Sequence, residues 1–155
     1  MKISEHISYA EAFKSQTATR YGIDNSTKNQ EILSNMAFLA ENIFEKVRNY
    51  FAVPIAISCF YRSEELNKKV GGARASQHTT GEAMDIDADV FGKVTNKQIF
   101  DFIAENLEFD QLILEGVGQN GTGGWIHVSL KKNGKNRKQK LRATFNNGIA
   151  SYSSI

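Results

Sequence analysis

The sequence predicts an α+β domain, and three kinds of signal point to it. Two stretches carry apolar residues at helical spacing, over residues 32–47 and 99–107. Several short apolar or alternating runs have the length and composition of strands. Near the C-terminus Asn146-Asn147-Gly148 separates two such runs as a hairpin turn would. The expected architecture is a small antiparallel sheet covered by the two helices. A chain of 155 residues suits one domain over 1–155 with one ordinary core.

The elements follow in order. Ser8 with Glu11 forms a capping box that opens a short helix through about residue 14. Residues 15–29 are polar, with Gly22 and Asp24-Asn25 as turn signals, and read as a loop. Thr27 with Gln30 forms a second box. Beyond it Ile32, Met36, Leu39, Ile43 and Val47 recur at helical spacing, widened by Leu33, Ala40 and Phe44, so a long helix is expected to end near Tyr50. Pro54, the only proline, suits the start of a strand that includes Cys59.

Ser63 caps a short helix with Glu64 and Glu65 in its first turn, where acidic residues suit the helix dipole. A loop through Gly71-Gly72 leads to a strand over 83–87. Thr95 with Gln98 opens the second amphipathic helix, carrying Ile99, Phe102, Ile103 and Leu107. Strands follow at 111–114 and 125–130, joined by a glycine-rich loop over 116–124. A basic connection over 131–140 then leads to the hairpin.

Composition narrows the function classes. A hydrophobic fraction of 41% and a charged fraction of 23% describe a globular protein. A formal charge of +2 is too small to argue for nucleic acid. Cys59 is the single cysteine, so there is no disulfide framework, and its apolar setting suits a small buried side chain. No run is long enough to span a membrane. Residues 1–6 lack the apolar core of a signal peptide, so synthesis in the cytoplasm is expected. A monomer is the expected state.

Two short segments carry the chemistry. Ser76-Gln77-His78-Thr79-Thr80-Gly81-Glu82-Ala83-Met84-Asp85 holds one of only three histidines, with a carboxylate seven positions later. Gly81 lets the chain turn back, so that the strand from Ala83 brings Asp85 beside His78. In Trp125-Ile126-His127-Val128-Ser129, alternation sends His127 to one face and the apolar pair to the core. Two imidazoles and one carboxylate, His78, Asp85 and His127, make a three-ligand zinc set whose fourth position stays open, as in catalytic rather than structural sites. A solvated histidine with a turn-capping aspartate, and a hydrogen-bonded core histidine at 127, are the ordinary alternatives. Asp87 shares the strand face of Asp85 and is either a partner that fixes a ligand imidazole or a solvated edge residue.

Ser-x-His-x-x-Gly-x-Ala-x-Asp followed by Trp-Ile-His-Val-Ser resembles the M15 family of zinc D,D- and L,D-peptidases, whose fold is shared with the hedgehog signalling domain. Within the family the likeness is to short single-domain proteins of bacteria and their phages, and it runs from about residue 4 to about residue 130. The resemblance implies one Zn²⁺ per chain and peptidoglycan stem peptides as substrate. The implied activity is that of a D,D-carboxypeptidase or an endolysin-like endopeptidase, reaching the wall on release or by non-classical export.

Many members carry a glutamate three residues ahead of the last histidine, where this chain has Gly124. Glu115, at the end of the 111–114 strand, is the expected general base instead, against the reading of a solvated strand end. Tyr61-Arg62-Ser63 resembles a family element whose arginine points to the active site, so Arg62 is expected to hold substrate carboxylate or oxyanion. Ser76 and Trp125 complete the expected substrate-binding set. The vacancy at Gly124 also admits a non-catalytic zinc- or cell-wall-binding module of the same fold.

Overall fold

The computed structural model describes residues 1–117 and 123–155, so positions 118–122 of the expected glycine-rich loop lie outside the described residues. At the N-terminus β1 (Lys2–Ser4) pairs with β2 (Ile7–Ser8), and the expected capping box at Ser8 opens α1 (Tyr9–Ala12). The polar stretch that follows is not all loop. It contains α2 (Gln16–Tyr21), capped by the Ser15 hydroxyl and closed by Gly22 at φ 64°. Ala18 is its one buried residue, so apolar periodicity could not reveal it and only the caps mark it.

The long helix runs as α3 (Gln30–Leu39), a π-helical turn (Ala40–Phe44) and α4 (Glu45–Phe51). Its cap is Asn29 rather than Thr27: Asn29 Oδ1 accepts from the amides of Glu31 and Ile32, while Thr27 accepts from that of Asn29. Gln30 is therefore the first helical residue and cannot close a box. Met36, Leu39, Ile43, Phe44 and Val47 are buried, as the stripe predicts. Pro54 lies two residues ahead of β3 (Ala56–Cys59), outside the ladder. Next come α5 (Glu64–Lys69), β4 (Ala83–Asp87), a 3₁₀ turn (Ala88–Val90) and α6 (Asn96–Asn106), the last opened by the Thr95–Gln98 box.

The remaining strands are β5 (Gln111–Glu115), β6 (Trp125–Ser129), β7 (Gln139–Asn146) and β8 (Ile149–Ser154). The main sheet is six-stranded, in the order β3-β4-β6-β5-β7-β8. It is mixed rather than the small antiparallel sheet expected, because β5 and β7 run parallel. Ser129 at the end of β6 and Gln139 at the start of β7 both stand opposite Gln111. The 130–138 connection thus stays at one end of the sheet and steps across β5. The hairpin turn is the one Asn-Gly favours, with positive φ at Asn147 (51°) and Gly148 (78°). Among the described residues no helix is long and apolar enough to cross a membrane.

One face of the sheet makes the core. Met84, Ile86, Leu112, Leu114, Ile126 and Val128 are fully buried in a cluster with Met36, Leu39 and Ile43 of the long helix and Ile99 and Ile103 of α6. Each contributes about 1.5–3 kcal/mol of burial. The strands' period of two then presents Asp85, His127, Ile113 and Glu115 on the opposite face.

Candidate metal centre and cleft

Register brings two of the expected ligands together. In the β4–β6 ladder Asp85 stands directly opposite His127, and on its other side Asp85 faces Cys59 of β3. His127 Nδ1 lies 3.0 Å from Asp85 Oδ1. His78 comes from the loop before β4, and its Nε2 lies 3.3 Å from the same oxygen. The two rings stand 5.3 Å apart, nearly edge to face.

Several bonds fix the His78 loop. The Arg62 amide donates to the His78 carbonyl at 3.1 Å, and the Ser76 hydroxyl accepts from the His78 amide at 3.3 Å. Gly81, at φ 76°, lets the loop lie on the long helix; a Cβ there would stand 2.7 Å from the Ile32 carbonyl oxygen and from Met36. The His78 ring is held by the carbonyl of Phe60, 2.7 Å from Nδ1. A carbonyl only accepts, so Nδ1 carries the proton, and in the neutral ring Nε2 presents its lone pair to Asp85.

A lone pair aimed at a carboxylate is unfavourable unless a proton or a cation stands between them. Without a cation, a proton takes that place. Burial opposes charge on both groups, yet the Asp85 carboxylate outweighs it and lifts His78 to about 10. Asp85 is held well below the usual carboxylate range by the two imidazoles, again against burial. The donor set suits a borderline cation that takes imidazole nitrogen and carboxylate oxygen.

By mutual proximity the trio whose donor atoms all lie within 4.8 Å of one another is Cys59, His78 and Asp85, without His127. The Cys59 sulfur, however, lies 3.7 Å from His78 Nδ1, the nitrogen already committed to Phe60, and receives Arg62 Nη2 at 3.7 Å. It stands behind the ring rather than before its lone pair. The thiol is half-buried, not the fully buried small residue its sequence setting suggests.

The centre opens on a cleft of about 680 Å³ lined by Arg62, Ser76, Glu115 and Tyr152 among others. Glu115 ends β5 opposite Trp125. Burial pushes its carboxyl up, the nearby Asp85 charge adds to this, and His127 and a hydrogen bond from Trp125 pull it down. Gly124 is used by the backbone, its amide donating to the Glu115 carbonyl at 2.7 Å, which closes the β5–β6 pair. Arg62 is steadied by Asn67, 3.0 Å from Nη1, and Gly72 makes room for that bond: a Cβ there would lie 2.1 Å from Asn67 Oδ1.

Two expected residues sit elsewhere. Trp125 does not line the cleft; its ring lies 5.6 Å from that of Phe145, and its influence on the site is to lower the Glu115 carboxyl. Asp87 does not fix an imidazole. Its Oδ1 caps the 3₁₀ turn through the Asp89 amide at 2.9 Å and meets Asn96 at 3.4 Å, because two residues along a strand carry it past the rings. The partner that orients His78 is a main-chain carbonyl, which no residue type announces.

Tyr152, Lys131 and Arg137, which no motif marks in the sequence, line the cleft beyond β6. Asn25, in a turn signal, has a further part. Asn25 is buried and ties Phe13, Tyr61 and Ser63 together on either side of Arg62.

A comparison with curated proteins gives no match. A family model described as Peptidase M15 matches residues 5–129, from the first turn to the last residue of β6. That span takes in the His78, Asp85 and His127 cluster together with Glu115 and Arg62, and it covers most of the chain. The protein belongs to the peptidase M15 family.

Proposed function

We propose that the protein is a zinc-dependent peptidase acting on peptidoglycan stem peptides, as a D,D-carboxypeptidase or an endolysin-like endopeptidase. The observation that carries this is the convergence of His78 Nε2 and His127 Nδ1 on one oxygen of Asp85, at the floor of an open cleft. His78, Asp85 and His127 would hold the ion. His127 is preferred to Cys59 as third ligand because the thiol lies on the protonated side of the His78 ring. Zinc bound there supplies a Lewis acid that polarises the peptide carbonyl and brings the pKa of a water to about 7.

Glu115 is the general base. Its carboxylate takes a proton from the attacking water as the water oxygen bonds to the peptide carbon. The same carboxyl then delivers that proton to the amine nitrogen as the C–N bond breaks. Burial raises the proton affinity of this carboxyl, which suits a group that takes and then returns a proton. Arg62, braced by Asn67, presents its guanidinium to the oxyanion or to a substrate carboxylate.

The test is Glu115→Gln, which keeps size and polarity but cannot accept the proton. Zinc-loaded variant and wild type are compared for amines released from purified cell-wall sacculi. The variant should keep its zinc while turnover falls roughly 10²–10⁴-fold. Near-normal turnover removes Glu115 from the role. Wild-type protein that binds zinc and wall peptides but releases nothing would favour the non-catalytic module, for which Gly124 in place of an acid is the motive.

A further inference from the structure

The family match stops at residue 129, but the cleft does not. Its far wall is built by the connection that steps across β5, and that connection is anchored on a buried charge. Asp110, fully buried, precedes β5. Its Oδ1 accepts from the Arg137 amide at 2.9 Å and from Arg137 Nε at 3.1 Å. Its Oδ2 accepts from Arg137 Nη2 at 2.8 Å and from Gln77 Nε2 at 3.1 Å, and Lys131 Nζ lies 3.6 Å from Oδ1. Gln77 is the neighbour of His78, so one carboxylate joins the metal-ligand loop to the segment beyond β6.

Arg137 is held but not covered. Its side chain is 51% exposed, it lines the cleft, and among the described residues its Nη1 has no protein partner. One edge of the guanidinium is occupied by Asp110, and the other faces outward already aligned, so little freedom is lost when it binds a planar anion. Arg137 and Lys131 carry two positive charges against the single charge of Asp110, which leaves one for a ligand to balance.

Position along β5 sets the distance. Glu115 lies at one end of the strand, Ile113 is level with His127, and Gln111, beside Asp110, lies at the other end. Two strand residues span roughly 7 Å, about the reach of one or two residues of an extended peptide.

We propose that Arg137, aligned by Asp110 and Gln77 and flanked by Lys131, is a specificity-determining residue that binds a substrate carboxylate one or two residues from the bond that is cut. This rests on the peptidase reading above. Asp110 and Gln77 are positioning residues. The carboxylate is either the peptide's C-terminus or an acidic side chain.

The test is a binding measurement, so that it does not depend on turnover. Zinc-loaded protein carrying Glu115→Gln, in which cleavage is slowed roughly 10²–10⁴-fold, is titrated calorimetrically with two matched peptide pairs. One pair ends in a free carboxylate or a carboxamide; the other carries Glu or Gln next to an amidated end. One pair should show a preference for the acid of about tenfold or more. That pair names the source of the carboxylate. Added Arg137→Ala should erase the preference, lowering affinity for the acid to that for the neutral peptide, and Arg137→Lys should keep part of it.

Because Arg137→Ala strands a buried charge, the double variant Arg137→Ala/Asp110→Asn serves as a folded control with the same expected loss. Equal affinities in both pairs, undetectable binding included, overturn the proposal. So does a preference that survives either variant, or a loss equal for acid and neutral peptides. If the acid preference holds but wild-type protein cleaves no peptide, the peptidase reading falls and the carboxylate site stands.

Discussion

Two clusters in this chain set imidazole against carboxylate, and they use the contact in opposite ways. At the N-terminus His6 Nδ1 lies 2.6 Å from Glu45 Oε2, while Oε1 accepts from the His6 amide at 2.8 Å and the Ser4 hydroxyl at 2.5 Å. Both carboxylate oxygens are filled by protein donors. The cluster pins the β1–β2 turn to the long helix where the π-helical turn gives way to α4. At Asp85 one oxygen meets two ring nitrogens, and the His78 ring is anchored so that its acceptor nitrogen points at the charge. Proximity alone ranks both as metal candidates, since Glu5, His6 and Glu45 also lie together. Orientation separates them: the Phe60 carbonyl commits His78 Nδ1 as a donor, so its Nε2 needs a proton or a cation against Asp85, whereas Glu45 is supplied by Ser4, the His6 amide and the His6 ring.

The sharpest way to break this contrast is to delete one imidazole from each cluster. His127→Ala should lose zinc and activity together yet stay folded, because Ile126 and Val128 hold β6 in the core. His6→Ala should keep full zinc content and activity and show only a lowered Tm. Metal analysis and thermal melts on the two variants decide it. Zinc lost from His6→Ala, or an unfolded His127→Ala, would reverse the assignment.

That asymmetry also marks what the sequence could tell. The β4 and β6 positions were legible because burial of one strand face dictates the other: with Ile126 and Val128 inside, His127 must face the cleft. The spacing from His78 to Asp85 was legible because a turn at Gly81 is a local matter. No motif marks His6, since its partner Glu45 lies 39 positions away. The insertion of β7 beside β5 was hidden for the same reason, as nothing in residues 130–138 says which strand they step across. Asp110 and Arg137 meet only through that crossing, and Tyr152 reaches the cleft only because the hairpin is carried there. α2 left no apolar stripe to read. Pattern reports faces and turns; it does not report which distant surfaces meet.

A smaller effect should come from Glu45 itself. Glu45→Ala leaves the Ser4 hydroxyl and the His6 amide without their acceptor, at a cost of about 1–3 kcal/mol, while zinc content stays intact. Burial acts to raise the Glu45 carboxyl, but the bonds from Ser4 and His6 prevail and hold it below its ordinary 4.5. A carboxyl depressed on folding contributes stability above its unfolded value and loses it as pH falls through the folded one. Wild-type Tm should therefore drop as pH falls below about 4.5, and Glu45→Ala should flatten that part of the curve. Parallel slopes in the two proteins would mean that Glu45 is not what couples the N-terminal turn to acid.

The finest expected effect concerns the one carboxylate that belongs to neither pattern. Glu115 is pushed up by burial and by the Asp85 charge, and a hydrogen bond from Trp125 opposes that rise. Trp125→Phe removes the donor but keeps an aromatic ring against Phe145. The Glu115 carboxyl should then titrate at higher pH than in the wild type. A general base works when deprotonated, so activity is lost as pH falls through its pKa. The acid limb of kcat/KM for Trp125→Phe should accordingly lie at higher pH than that of the wild type, with the two profiles coinciding on the alkaline side of that limb. Matched pH profiles on one peptide substrate measure this directly. A limb that stays in place means that another group sets it, and a variant slowed equally at every pH means that Trp125 holds the cleft's shape rather than the base's proton affinity.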